Sequence, residues 1–382
     1  MYVKNLKGGT QWCAAILIFF TLSCCNDGMP ENPYRWEIDR WEHVYIDPYY
    51  DNGYYYVFSE DWESHQSFLT KIKEIDGKVM YSSPFKIGVD LDLNTSSSTF
   101  SEDGRLMFVE GKYIHQFNMN TGQLITTDTF ETYIWNFHYT KEHLTACRFT
   151  FEFKSFRYIE IIYKDGHYIE DIIHEEFYDH MNNTQVNGGT PPVYANGKWI
   201  LPYFTSIRST GECKNYVIVK DGDNVEKISI GYDNNKGNCL AGPLLVDEDA
   251  MYVYCVDKLF AYDRETTSMK WSADIIGSGL NKIVGDYIFT VAALSVEKMT
   301  IINKHTGEAT NIDSRSAWSG QSVGDYLCWT QVEFYKFNTK TRKFEFVSSL
   351  EKADQGYWEY AVGVSPNSKL LFDMQRWVCY PF

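Results

Sequence analysis

The sequence predicts an all-β fold, on the evidence of its composition, its turns and the spacing of its hairpins. Aromatic residues make up 17% of the 382 residues, and 29 of them are Tyr. Tyr, Phe, Trp, Val, Ile and Thr favour strands because their side chains pack well on a pleated surface. Long Ala-rich or Leu-rich stretches of helical type are nearly absent. A hydrophobic content of 44% is enough to build a substantial core.

Eight hairpin-like units follow one another along the chain. Each opens on Gly, Asp or Asn, carries two strands, and turns at Asp-Gly, Thr-Gly or a variant of these. The paired strands are predicted at 54–58 with 68–72, 106–109 with 113–117, 143–153 with 157–163, 198–204 with 216–219, 250–254 with 258–262, 287–291 with 299–302, 326–330 with 333–337, and 369–372 with 376–380. A further strand follows each turn, which is the meander of a propeller blade.

Four of these turns share one pattern: an apolar residue, Asn or Asp, two free positions, and Thr. They are Phe117–Gly122, Tyr262–Thr267, Ile302–Gly307 and Phe337–Arg342. Asn and Asp suit such turns because their side chains hydrogen-bond the backbone two residues on. A recurrence at roughly 40 residues is typical of a propeller or another repeat array. We place these turns between the middle and outer strands of the blades, at the periphery of the ring.

The last unit lacks a strand after Tyr380, and the N-terminal region offers one. Residues 34–41 alternate polar and apolar, as expected of a half-buried strand. A strand from one chain end that completes the last blade would close the ring and remove an exposed sheet edge. The sequence therefore predicts a single β-propeller at 34–382, with four-stranded antiparallel blades. Eight blades is the direct count, and seven is the alternative.

The first residues form a targeting segment. Lys4 and Lys7 precede an apolar stretch at 14–22, which has the length of a signal-peptide core. The following Ser-Cys-Cys resembles a bacterial lipoprotein signal, in which Cys24 becomes the acylated N-terminus, or alternatively Cys25. The other interpretation is an ordinary cleaved signal peptide.

We therefore predict a signal peptide at 1–24 and a tether at 25–33. The polar and acidic residues of the tether resemble the flank of outer-membrane lipoproteins in Bacteroides-like bacteria. This predicts an exported protein at the outer membrane or cell surface that reaches the membrane through its N-terminal lipid only.

The charge of the chain argues against two classes of partner. The formal net charge is −16, and loss of Lys4 and Lys7 with the signal peptide would make it −18 (−16 minus 2). Nucleic acids require a basic surface to neutralise their phosphates. Docking on anionic lipid likewise requires a basic patch. Neither partner is expected.

One stretch carries a resemblance to a known family. Residues 259–271, with Asp263, two free positions, Thr266 and Trp271, resemble the pyrroloquinoline-quinone-like repeat. That repeat occurs in quinone-dependent alcohol dehydrogenases and in the propeller lipoprotein of the outer-membrane barrel-assembly machinery. Thr267 and Arg342 stand where the repeat has Gly, and only one unit keeps the Trp.

The resemblance implies a propeller, but it does not by itself imply quinone chemistry. The dehydrogenases carry adjacent, bridged cysteines beside the cofactor, and the adjacent pair here, Cys24 and Cys25, lies in the lipoprotein signal. We therefore expect no enzyme and no cofactor, and a quinone- or metal-dependent oxidoreductase is the least favoured alternative, since a fold alone does not imply a function.

Three further motifs are candidates for a metal site or a disulfide. Residues 90–94 have the Asp spacing of a calcium loop, but the rest of that pattern fails, and a solvated connection is favoured. Residues 174–180 lack the HExxH spacing of a zinc site and are expected to form an exposed insertion in the third unit. Cys213 and Cys239 are the one pair to test for a disulfide, although free thiols on strands are favoured.

Aromatic residues give the best indication of function. Exposed Trp and Tyr serve as stacking platforms for sugars and as hot spots for protein partners. The candidates for a ligand or partner surface are Trp62, Trp135, Trp199, Trp318 and Trp358. Packing between blades is the competing interpretation of these side chains.

These observations predict a non-catalytic, lipid-anchored envelope propeller that acts as a protein-interaction scaffold. The alternative is a glycan- or small-ligand-binding surface lipoprotein. We expect binding in the insertions at 165–195 and 204–216.

Overall fold

A computed structural model describes the protein over most of its length. The described residues are 35–40, 42–44, 46–61, 63–86, 98–139, 143–150, 155–177, 184–187, 191–207, 212–229, 241–255, 258–276, 280–290, 298–313, 321–323, 326–328, 333–338, 340–349, 362–365, 367–372 and 376–381. Over these ranges the chain forms strands and turns, and no helix there is long and apolar enough to span a membrane. The predicted signal peptide and tether lie outside them.

The described strands form eight antiparallel sheets, each corresponding to one predicted unit. We number the sheets in chain order. Sheet 1 contains β2 (Glu42–Val44), β3 (Tyr49–Asp51), β4 (Tyr54–Asp61), β5 (Ser67–Lys73) and β6 (Val79–Phe85). Sheet 2 contains β7 (Ser98–Glu102), β8 (Arg105–Glu110), β9 (Tyr113–Asn118) and β10 (Leu124–Thr129). Sheet 3 contains β11 (Ile134–Tyr139), β12 (Leu144–Phe149), β13 (Ser155–Lys164) and β14 (His167–Phe177).

The next sheets repeat the four-strand meander, to which sheet 4, like sheet 1, adds a fifth short strand. Sheet 4 contains β15 (Thr184–Asn187), β16 (Val193–Ala195), β17 (Lys198–Ile207), β18 (Glu212–Asp221) and β19 (Asn224–Ser229). Sheet 5 contains β20 (Ala241–Val246), β21 (Ala250–Cys255), β22 (Lys258–Asp263) and β23 (Met269–Asp274). Sheet 6 contains β24 (Leu280–Val284), β25 (Tyr287–Thr290), β26 (Lys298–Asn303) and β27 (Ala309–Asp313). Sheet 7 contains β28 (Gln321–Val323), β29 (Tyr326–Cys328), β30 (Glu333–Asn338) and β31 (Lys343–Ser349).

Sheet 8 is built from both ends of the described chain. It contains β1 (Trp36–Asp39), β32 (Val362–Val364), β33 (Ser368–Phe372) and β34 (Arg376–Pro381). The N-terminal strand β1 runs antiparallel to β34, with Trp36 opposite Cys379 and Asp39 opposite Arg376. Ladder hydrogen bonds between the two ends of the chain therefore hold the first and last strands together.

Buried hydrophobic clusters join neighbouring sheets. Seven clusters link sheet 8 to sheet 1 and then each sheet to the next as far as sheet 7. At the junction of sheets 1 and 2, for example, the rings of Phe58 and Phe108 stack with their centroids 4.6 Å apart. The core is thus divided among the junctions, which is how a propeller buries the faces of its blades. The structure is a β-propeller of antiparallel sheets.

The four repeated turns have one geometry. In each, the Asn or Asp side-chain oxygen accepts hydrogen bonds from the backbone N–H groups two and three residues on. Asp263 Oδ1 accepts from Glu265 at 3.0 Å and from Thr266 at 2.8 Å, and Asn118, Asn303 and Asn338 do the same. Each turn connects the third strand of a sheet to its outer strand, where the sequence placed it.

An aromatic ring on the outer strand of one sheet covers the turn of the next. Trp271 of sheet 5 lies over Gly307 of sheet 6, and its indole N–H donates to Lys304 O at 3.1 Å. Trp36 and Tyr81 make the same contact with Gly77 and Gly122 of the following sheets. A Cβ at these glycines would come within 3 Å of ring atoms, so the close approach requires Gly.

A buried hydrogen-bond network joins sheets 8 and 1. Glu74 is 5% exposed, and its carboxylate accepts hydrogen bonds from Ser368 Oγ at 2.7 Å, from Tyr50 OH at 3.0 Å and from Ser365 Oγ. The Trp36 indole N–H donates to the backbone oxygen of Glu74 at 2.6 Å. Burial raises the pKa of Glu74, but these hydrogen bonds to the carboxylate outweigh it, and the net pKa lies below its usual value.

One predicted loop is a strand. The segment at 174–180 was expected to be an exposed insertion, but residues up to Phe177 belong to β14, which pairs with β13 over ten positions. As the outermost strand, β14 has a single neighbour and mixes exposed and buried residues without regular alternation. The polar composition of this strand follows from that position.

Candidate functional site

The five candidate Trp residues separate into those that the structure describes and those that it does not. Trp62, Trp318 and Trp358 lie outside the described residues, as do the predicted lipidation sites. Trp135 belongs to β11, where only its backbone is described. The candidate surface that they were predicted to form therefore stays a prediction.

Trp199 is the one candidate whose side chain is described, and it packs between elements. It lies on β17, is partly buried, and packs against the cluster that joins sheets 3 and 4. Its ring centroid is 4.8 Å from that of Tyr194 and 5.2 Å from that of His143. At this position the packing role accounts for the contacts that the ring makes.

The two predicted insertions consist largely of strands. Residues 204–207 and 212–216 belong to β17 and β18, which form a long hairpin, and most of 165–195 is β14, β15 and β16. Longer strands account for most of the irregular spacing of the third and fourth units. Among these strands, β14 is the outer strand of sheet 3, and β17 and β18 lie inside sheet 4.

The motifs weighed for metal binding or a disulfide give no site in the described parts of the chain. His174 Nε2 lies 2.8 Å from Glu176 Oε1, and Lys227 Nζ pairs with the same carboxylate at 2.7 Å. No group of three His, Cys, Asp or Glu side chains among the described residues is placed to hold a metal ion. The Asp90 loop and Cys239 lie outside these residues.

A cleft opens at the junction of sheets 2 and 3. It encloses a cavity of about 190 Å³ where β7, β11 and β13 end at the same edge. Its lining includes Phe100, Glu102, Tyr139, Glu160, Tyr163 and Tyr168. The lower wall continues into the cluster that joins the two sheets, so the cleft is the open end of that junction.

Two aromatic pairs form the walls of the cleft. The Tyr139 ring stacks on buried Phe100, with the centroids 4.7 Å apart and the planes at 23°. Tyr163 lies against Tyr168 with a centroid distance of 5.0 Å, and the guanidinium of Arg105 sits 3.7 Å from the Tyr163 centroid. Tyr139 and Tyr163 are 36% and 41% exposed, so solvent reaches both rings. The buried partners hold them in place.

The two carboxylates of the cleft each have a partner. Arg105 Nη2 is 3.8 Å from Glu102 Oε2, which also accepts a hydrogen bond from Tyr168 OH at 3.3 Å. His143 Nδ1 lies 2.5 Å from Glu160 Oε1. The cleft therefore combines aromatic rings with two carboxylates that each have a side-chain partner.

The hydroxyls of Tyr139 and Tyr168 stay protonated over the physiological range. Burial, followed by the negative charge of Glu102, raises the pKa of Tyr168 well above its usual value. Burial and the same carboxylate also raise the pKa of Tyr139. Each phenol is therefore a hydrogen-bond donor as well as an apolar ring face.

The outer edge of sheet 3 is the second unusual feature. β14 has 11 residues, whereas the outer strands of the other sheets have four to seven. It leaves three large apolar side chains exposed: Ile169 at 44%, Ile172 at 43% and Phe177 at 71%. We call these three residues the outer-edge surface.

The start of β14 is fixed to the neighbouring sheet. Asp128 of β10 is 7% exposed and accepts hydrogen bonds from the Tyr168 backbone N–H at 2.9 Å and from Gln116 Nε2 at 2.8 Å. Its other oxygen lies 2.7 Å from His167 Nδ1. These contacts hold the first residues of β14 against sheet 2, next to the cleft.

Sequence reasoning missed both features, although part of the signal was present. The cleft draws its residues from 100 to 168, and no local pattern connects them. The length of β14 could have been recognised from the run of Tyr and Ile on either side of Asp165-Gly166, whereas an exposed insertion is predicted at 174–180.

Comparison with known proteins places the fold. No family model matches the sequence, and no curated protein matches it. Among solved structures, BamB from Moraxella catarrhalis superposes with a TM-score of 0.54 at 9% identity, covering 91% of this chain and 98% of that chain. The WD40 domain of SCAP from fission yeast gives a TM-score of 0.47 at 9% identity, over 91% of this chain and 98% of that one. Apo AztD from Citrobacter koseri gives 0.40 at 8% identity, over 74% and 91%.

At this level of identity, the likeness to BamB shows the β-propeller fold, which is what the two chains share.

Proposed function

We propose that this protein is a non-catalytic scaffold that binds a protein partner along the outer edge of sheet 3. The observation that carries this proposal is the outer-edge surface, in which an 11-residue edge strand exposes Ile169, Ile172 and Phe177. Exposed apolar side chains grouped on one element are typical of interaction sites. Propeller scaffolds of this fold generally bind protein partners, which supports the same function.

The partner that fits this edge contributes an extended segment. The backbone of β14 pairs with β13 on one side only. On its other side, Asp128 binds the Tyr168 N–H and Lys220 binds the Ile173 carbonyl, so a strand can be added between these two positions. Strand addition takes its affinity from main-chain hydrogen bonds and its specificity from alternate side chains. Because the contacts of Asp128 already fix the start of β14, little ordering accompanies binding there.

Cross-linking from the edge strand tests this proposal. A photo-activatable residue at position 172 should cross-link to one defined partner in detergent-extracted envelopes. Ile169→Asp should abolish co-purification of that same partner, because a desolvated carboxylate is costly in an apolar interface.

A matched control is available on the next sheet. Val225 is 45% exposed on the outer strand β19, so Val225→Asp makes the same change on a shorter edge. It should leave partner binding intact. Equal partner recovery from Ile169→Asp and wild type would contradict the proposal.

The envelope location is the second part of the proposal. We propose that Cys24 carries the lipid that anchors the protein at the outer membrane or cell surface, supported by the signal segment that precedes it. Labelling with a fatty-acid analogue should mark the wild type and Cys25→Ser but not Cys24→Ser. Labelling of Cys24→Ser and loss of label in Cys25→Ser would move the site to Cys25.

A further inference from the structure

The cleft at the junction of sheets 2 and 3 is suited to a ligand other than the partner of the outer edge. One wall is the exposed ring of Tyr139, which is backed by buried Phe100. The other is the partly exposed ring of Tyr163, which is held by Tyr168 and by the guanidinium of Arg105. A ring held in one orientation does not have to be ordered by a ligand that packs on it. A flat apolar ligand face is therefore favoured at the Tyr139 wall.

The polar groups at the rim favour a neutral ligand with many hydroxyls. Glu102 has Arg105 and Tyr168 as partners, and Glu160 has His143. Arg105 offsets the charge of Glu102, and His143 already occupies Oε1 of Glu160. The same groups offer both donors and acceptors to hydroxyls, which buried polar ligand groups require.

The size of the cavity limits the ligand to about one ring. The volume of about 190 Å³ is below the roughly 300–1,000 Å³ of sites that enclose drug-sized molecules. A six-membered sugar ring combines a flat face of C–H groups with a rim of hydroxyls, which are the two features that the walls and the rim match.

We propose that this cleft binds one sugar ring of a glycan, with a C–H face of the ring packed on Tyr139 and its edge against Tyr163. The hydroxyls then meet the polar groups of the lining, Glu102, Glu160 and His143. This site lies next to Ile169 of the outer-edge surface but is built from other residues, and its occupancy does not depend on the protein partner.

Saturation-transfer NMR on the purified protein tests the proposal with the methyl glycosides of glucose, galactose, mannose, xylose and N-acetylglucosamine as probes. At least one probe should receive saturation, most strongly at the C–H groups of one ring face. Tyr139→Ala and Tyr163→Ala should each weaken binding of that probe by about tenfold, the loss expected for one stacking contact.

Tyr133→Ala is the matched control, because Tyr133 is 49% exposed just before the opposite end of β11. It should leave the affinity unchanged. A second measurement uses wild-type protein alone: the bound probe should slow nitration of Tyr139 and Tyr163, read by mass spectrometry, but not of Tyr133.

Three results would overturn the proposal. These are the absence of saturation transfer to all five probes, an affinity in the Tyr139→Ala and Tyr163→Ala variants equal to that of the wild type, and a cleft that binds no sugar but cross-links from position 163 to the protein partner. None of them depends on whether the outer-edge variants lose that partner, so the two proposals fail separately.

Discussion

Two junctions between sheets are built from similar residues, but one forms a buried hydrogen-bond network and the other leaves an open cavity. At the junction of sheets 8 and 1, Tyr50, Tyr55 and Glu74 are joined by serine hydroxyls into a closed network, and Tyr55 is fully buried. At the junction of sheets 2 and 3, tyrosines and glutamates stand around an open cavity. At the first junction, protein groups supply nearly every hydrogen-bond partner of the buried polar side chains. At the second, ring surfaces remain accessible to a ligand.

The junction of sheets 8 and 1 contributes to stability, whereas the junction of sheets 2 and 3 leaves surface available for binding. A carboxylate with buried donors on both oxygens stabilises the contact between the two chain ends, because an unpaired carboxylate there would be costly. Exposed rings backed by buried ones contribute less to stability. They leave surface available to a ligand.

The largest effect is expected from Glu74→Ala at the closed junction. The change removes the charged acceptor that three hydroxyl groups share and leaves a space at the junction, and it should lower the free energy of unfolding by about 4 kcal/mol. Urea unfolding measures it. The exposed Glu63→Ala is the control and should change the value by less than about 0.5 kcal/mol. Similar losses in both variants would show that the network is not what holds the junction.

The pH dependence of stability tests a third site, where the buried side chain of His115 is neutral in the folded protein. His115 is 1% exposed, and it stacks on Phe108 of the cluster that joins sheets 1 and 2. Burial lowers the pKa of His115 to about 4, from an ordinary value of 6.5. The unfolded chain therefore binds the proton first, so the stability contributed by neutral His115 is complete above pH 6.5 and is lost as the pH falls towards 4. The loss should reach about 3 kcal/mol.

Denaturant unfolding between pH 7 and pH 4 checks this expectation. His115→Gln should remove that part of the pH dependence, whereas the exposed control His65→Asn should keep it. A wild type and a His115→Gln variant that lose stability in parallel would contradict it.

Two glycines allow the stability cost of a clash with a neighbouring ring to be measured apart from the cost of backbone strain at the closed junction. Gly77 and Gly53 both have positive φ, at +68° and +84°, but a Cβ at Gly77 would lie 2.6 Å from the Trp36 ring, whereas one at Gly53 would meet nothing within 4 Å. Gly53→Ala should cost about 1 kcal/mol through strain alone. Gly77→Ala should cost about 2 kcal/mol or more, because the ring that caps the junction must also move. Thermal unfolding of the two variants tests the difference, and equal shifts would mean that Trp36 adjusts freely.

The smallest effects compare one residue type at the two junctions. Tyr55 OH donates to Ser368 O at 3.0 Å, so Tyr55→Phe should cost about 1 kcal/mol. Tyr163→Phe at the cleft should stay within about 0.5 kcal/mol, since Tyr163 is 41% exposed. Matched denaturant curves measure both changes. A larger loss at Tyr163 would assign the open cleft a structural role.

The sequence predicted the fold class and the repeated turns because both depend on local chemistry. An Asn or Asp at the start of each turn offers an oxygen to the next backbone N–H groups, whatever surrounds it, and the structure shows this at Asn118 and Asp263. Thr267 and Arg342, which replace the repeat glycine, keep the positive φ of that position at +59° and +53°. The turn therefore keeps its backbone geometry where another residue replaces the Gly of the repeat.

The candidate site was predicted poorly, and the reasons are physical. A search for Trp selects residues by type, and Trp199 shows that an aromatic side chain on a strand can be used for packing between sheets. The segment at 174–180 is predicted as an exposed insertion, yet its described residues belong to β14, because a strand with one neighbour needs no regular alternation of apolar residues. Both errors arise because side-chain burial and strand pairing depend on neighbouring residues that are distant in the sequence.

Composition, hairpin spacing and turn chemistry, all local properties, determined that this chain is an all-β protein with units repeated along its length. Which tyrosines are buried at Glu74 and which remain open at the cleft was decided only by the tertiary structure. That choice depends on how two sheets meet across more than 30 residues of sequence, as with Phe100 and Tyr139. A ring becomes core or binding surface according to what packs on its second face, and the sequence alone does not specify that face.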